Sequence, residues 1–74
     1  MNKPAEEHWE MIYSSTLLYR VEMLKDLLQN EEIPAVIINK KDSSYLAFGE
    51  IELHVQQPDV LKAKIIVSKF LADE

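Results

Sequence analysis

With 74 residues, the chain has room for one domain and a thin core, because a domain of this size buries only about 60% of the surface its unfolded chain exposes. Apolar residues make up 47% of it, interspersed with charges, and cysteine is absent, which excludes both the disulfide-stapled secreted class and thiolate zinc sites. A net charge of −5 counts against nucleic-acid binding, and no apolar run approaches the roughly 20 residues of a membrane span, so a cytoplasmic protein without membrane contact is expected.

Met1 to Glu7 lacks the apolar stretch of a signal peptide and reads as a disordered polar tail, leaving residues 8–74 as the single domain. His8 to Ser14 reads as a strand in which Trp9, Met11 and Tyr13 alternate with polar residues, while Ile12 breaks the alternation and leaves open which face meets the core. Ser14, Ser15 and Thr16 offer hydroxyls that suit a helix N-terminus. From Leu17 to Asn30, steps of 100° gather Leu17, Val21, Met23, Leu24, Leu27 and Leu28 into one apolar stripe opposite Glu22, Lys25, Asp26 and Gln29. Asn30 is the expected left-handed residue at the helix end, since asparagine tolerates that conformation better than most.

Ile33 to Asn39, with Pro34 near its start and β-branched Val36, Ile37 and Ile38, reads as a strand that is apolar on both faces. Lys40 to Ser44 is a polar loop. After Gly49, the only glycine, Glu50 to Val55 alternates cleanly and places Ile51, Leu53 and Val55 on the core side, with Glu50, Glu52 and His54 facing away. Pro58 and Asp59 then start a helix running to about Leu71, where proline lacks an N–H at a position that needs none and aspartate suits the positive helix end. Its core stripe holds Val60, Ala63, Ile66, Val67, Phe70 and Leu71, whereas Leu61 and Ile65 share a second face with no evident partner.

The order β-α-β-β-α predicts an α+β domain of ferredoxin-like, split βαβ type. Both helices lie on one face of a small antiparallel-containing sheet, and the last strand is missing. At this point Asn39 to Leu53, with the aromatic-led strand around Trp9 and with Glu22, Leu28, Ile33, Ala35, Val55, Asp59, Val60 and Ala63, resembles the bacterial signal-transducing family DUF2007. The resemblance spans nearly the whole chain. It implies a ferredoxin-like fold related to the PII-type signalling proteins and a bacterial origin, and it supplies no catalytic or ligand residues. The long nucleotide-binding loop of true PII proteins has no counterpart in this chain, so ATP binding is not implied.

Three groups of residues compete as sites. The loop Asn39, Lys40, Lys41, Asp42, Ser43, Ser44 and Tyr45 combines positive charge with hydrogen-bonding groups suited to an anion or a partner backbone, or simply satisfies its own backbone. Glu50, Glu52 and His54 share a strand face, but alternate residues lie about 6.8 Å apart, too far to converge on a metal without further ligands. If both helices cover one sheet face, Met11 or Ile12, Val36 to Ile38, and Leu46 or Phe48 leave a partly apolar open face, and a homodimer that buries this face through Val36 and Ile38, or buries Leu61 and Ile65, would enlarge the core. No glycine-rich phosphate loop, Gly-x-Ser-x-Gly elbow or His-Glu-x-x-His pattern occurs. The expectation is a non-catalytic regulatory module without cofactor or metal that contacts a protein or small molecule. A homodimeric interaction domain is the alternative, and a metal-dependent enzyme the last choice.

Overall fold

The computed structural model describes residues 8–40 and 50–73. Along these, β1 (Trp9–Ser15), α1 (Leu18–Asn30), β2 (Ala35–Asn39), β3 (Ile51–Gln56) and α2 (Val60–Ala72) follow one another, with a 3-10 turn at Gln57–Asp59 leading into α2. The sheet order is β1-β3-β2, and β3 runs antiparallel to both neighbours. β1 and β2 are therefore parallel to each other and split by β3, which is the ferredoxin-like arrangement; among the described residues no strand lies beyond β1.

The core follows from the alternation of β3. Ile51, Leu53 and Val55 are wholly buried and meet Val21, Leu24 and Leu28 of α1, Ala63 and Val67 of α2, and Ile33 and Ala35 around the start of β2. Both helices thus cover one face of the sheet. Tyr13 joins from β1, its ring edge-on to Phe70 with centroids 6.4 Å apart. Of the α1 stripe only Val21, Leu24 and Leu28 are buried, and Leu17, Met23 and Leu27 are exposed, because a three-stranded sheet is too narrow to cover so broad a stripe. In α2, Leu71 is likewise exposed.

Ile12 has the effect its place in the pattern hinted at. Trp9, Glu10 and Met11 pair with Gln56, Val55 and His54, but Tyr13 pairs with Leu53, so one extra residue is accommodated between Met11 and Tyr13. This bulge reverses the side-chain phase of β1. Trp9 and Met11 consequently share the face of His54, whereas Tyr13 shares the core face of Leu53 and Ile12 also packs against the core.

The helix ends differ from the expected caps. No side chain caps α1; the Ser15 hydroxyl instead accepts the N–H of Leu17 at 3.0 Å. At the other end Glu32, not Asn30, takes the left-handed conformation, with φ of 63°. The reason lies in Ile33. Its N–H bonds the Leu28 carbonyl and that of Glu32 bonds the Gln29 carbonyl, both at 2.9 Å, which brings buried Ile33 onto buried Leu28 in a Schellman motif. A left-handed non-glycine residue costs roughly 1–2 kcal/mol, part of which a glycine returns through the freer unfolded chain. Glu32→Gly is expected to raise stability by about 0.5–1 kcal/mol, read as a higher denaturant midpoint with unchanged slope; an unchanged or lower midpoint would contradict this strain.

Candidate functional site

The sheet face away from the helices carries a polar row between two apolar margins. Register places Met11 of β1 and Val36 of β2 opposite His54, and Ser14 and Ile38 opposite Glu52. Met11, Val36 and Ile38 are exposed, and Trp9 is half-buried beside them. The side chains of Glu52 and His54 in the central strand are only 16% and 15% exposed, sheltered by these neighbours.

Glu52 and His54, two residues apart on one strand, are hydrogen-bonded: Nε2 of His54 donates to Oε1 of Glu52 at 3.0 Å. The other carboxylate oxygen, Oε2, lies 3.4 Å from Nζ of Lys40. The hydrogen bond from His54 is the main cause that holds the Glu52 carboxyl below its ordinary value of 4.5; Lys40 adds to it, and burial opposes it. In the tautomer that carries its proton on Nε2, the imidazole presents Nδ1 as an acceptor. That nitrogen is buried and has no hydrogen-bond partner among the described residues.

A carboxylate whose folded-state pKa is depressed stabilises the fold fully above its unfolded value and loses that contribution as pH falls through the folded value. The stability difference between the wild type and Glu52→Gln is therefore expected to shrink as pH falls below 4.5, in denaturant titrations run at successive pH values. A difference independent of pH down to full acid unfolding would show that the pair adds nothing to the fold.

Of the sequence-predicted loop, Asn39 ends β2 opposite Ile51, and Lys40 follows it, with its N–H bonded to the Glu50 carbonyl at 3.0 Å. Lys41, Asp42, Ser43, Ser44 and Tyr45 lie outside the described residues, as do Leu46 and Phe48. The ammonium of Lys40 is directed to Glu52. Glu50 precedes β3 and is exposed, and among the described residues no group of three His, Cys, Asp or Glu side chains could hold a metal ion. Val36, Ile38, Leu61 and Ile65 are all exposed, but they do not form one surface: the first two lie on the open sheet face and the last two on the side of α2 turned from the core.

Sequence reasoning did not find the groove between the helices. Tyr19, Arg20, Met23, Phe70 and Asp73 line an open depression of about 600 Å3, in which the Arg20 guanidinium sits 5.8 Å from the Phe70 ring centre. Leu27, Glu31, Ile66 and Lys69 line a second depression of about 310 Å3 that shares Phe70 and Asp73 with the first. The available signal was the breadth of the α1 stripe, whose Met23 and Leu27 exceed what the sheet can bury.

No helix among the described residues is long and apolar enough to cross a membrane. One family model matches residues 9–70, and its family, DUF2007, is described as "Putative prokaryotic signal transducing protein". No curated protein and no solved structure matches the chain.

Proposed function

Because the chain belongs to the DUF2007 family of prokaryotic signal transducing proteins, we propose that it is a non-catalytic cytoplasmic module that transmits its signal by docking a protein on the open sheet face. The observation that carries this reading is Nδ1 of His54, without a partner among the described residues and buried in a polar row between the apolar margins Met11 and Val36–Ile38. An unpaired buried acceptor costs about 1–3 kcal/mol, and a partner that brings an N–H or O–H to this nitrogen removes the cost while covering the apolar margins. Glu52 is suited to holding His54 in place and not to giving up a proton. Its lowered pKa keeps it ionised, as a fixed acceptor that orients His54, whereas a general acid at neutral pH needs a raised one.

The test is a photo-crosslinking side chain placed at Ile38 in the prokaryotic host, with Glu22 on the solvent side of α1 as the control position. A single protein adduct formed at position 38 and not at position 22 is the expected result. An adduct with a second copy of the chain would favour the homodimeric reading, in which two sheet faces cover each other, and the absence of any adduct would count against both.

A further inference from the structure

Helix α2 has a second apolar face that the domain does not use. At 3.6 residues per turn, Leu61, Ile65, Ser68 and Ala72 fall within about 60° of one another, on the side opposite the buried Ala63 and Val67. All four are exposed, Leu61 by 79% and Ile65 by 57%. Lys64 flanks this ridge on one side and Lys62 and Lys69 on the other, and Val60–Ala72 contains no acidic residue, in a chain whose net charge is −5. A helix that is apolar on both sides is normally covered on both.

We infer that the outer ridge of α2 is a docking surface for an amphipathic helix of another protein whose apolar stripe is flanked by Asp and Glu. It lies on the opposite side of the domain from the open sheet face, so the domain can hold two partners at once and join them. Charge selects the occupant. A second copy of this chain is disfavoured, since an antiparallel pairing that sets Leu61 on its counterpart's Ile65 also sets Lys62 beside the counterpart's Lys64. An anionic membrane is disfavoured by a ridge without aromatic residues. Small Ser68 and Ala72 beyond large Leu61 and Ile65 admit close approach of a helix along the C-terminal half.

The experiment uses the full chain and three probes: a helical peptide with leucines at i, i+4, i+7 and i+11 flanked by glutamates, the same peptide flanked by lysines, and phosphatidylglycerol vesicles. The acidic peptide is expected to bind roughly tenfold more tightly than the basic one, to lose that preference in high salt, and to perturb the amide resonances of Leu61, Ile65, Ser68 and Ala72. Leu61→Ser/Ile65→Ser changes only exposed positions and is expected to keep the circular dichroism of the wild type while weakening the acidic peptide about tenfold. Equal binding of both peptides, no binding of either, or capture by the vesicles through the same residues would overturn the inference. The sheet-face reading is independent of it, because Val36 and Ile38 are intact in this variant.

Discussion

Leu53→Ala is expected to lower the melting temperature by at least about 10 °C. Leu53 is wholly buried at the centre of the middle strand, paired on either side with Tyr13 and Ile37 and covered by both helices. A leucine-to-alanine change at such a site costs about 2–5 kcal/mol, more where the surroundings cannot collapse into the cavity. The middle strand of a sheet cannot shift without breaking two ladders. Domains carry roughly 0.05–0.15 kcal/mol of stability per residue, so a chain of this length holds about 4–11 kcal/mol in all, and the substitution removes a large share of it. Thermal unfolding followed by circular dichroism measures this directly; a melting point within a few degrees of the wild type would mean that the core is not centred on β3.

The second large effect concerns binding and should leave the fold in place. Val36→Lys/Ile38→Lys alters the exposed margin of an edge strand, where lysine is tolerated and where position 38 faces Glu52, so that the new charge opposes a carboxylate. Glutamate at the same positions would confuse the result by repelling Glu52. Stability is expected to stay within about 1 kcal/mol of the wild type. Affinity for the protein crosslinked at position 38 is expected to fall at least about a hundredfold, about 2.8 kcal/mol, since two aliphatic contacts are lost and two solvated ammonium groups must be covered. Unchanged affinity would move the contact surface elsewhere, the interhelical groove around Phe70 being the first place to look.

What the sequence disclosed depends on how far each element relies on its neighbours. β3 was fully legible because it is the middle strand and meets helices on one side only, conditions under which burial has to alternate at every residue. β1 was half legible. The irregularity at Ile12 is visible in the chain, but whether Trp9 or Tyr13 turns to the core depends on the register with β3, which is a property of the pair. The stripe of α1 overstated the core because periodicity records which residues share a face, while the width of the sheet decides how many of them are covered. At the end of α1, composition favoured Asn30, yet docking Ile33 on Leu28 required the left-handed turn two residues later.

Alternation disclosed which residues share the open face and not their chemistry. That Glu52 and His54 share an open face follows from alternation, and the distance between alternate residues weighs against a shared metal. The same spacing lets an imidazole and a carboxylate lean together, and that hydrogen bond leaves one ring nitrogen without a partner among the described residues. Lys40 was assigned to the loop as a free charge. Its contact with Glu52 arises because β2 and β3 are paired up to Asn39 and Ile51, which carries the next residue of β2 to the end of the polar row.

The claim that the open sheet face is where the signal passes is tested most directly by nitrogen NMR of the His54 ring in the full chain, before and after addition of the protein crosslinked at position 38. Accepting a hydrogen bond from that protein is expected to shift Nδ1, together with the backbone amides of Met11, Val36 and Ile38, and to leave Leu61 and Ile65 unmoved. A bound complex in which the Nδ1 resonance and those amides stay where they were in the free protein would contradict the account.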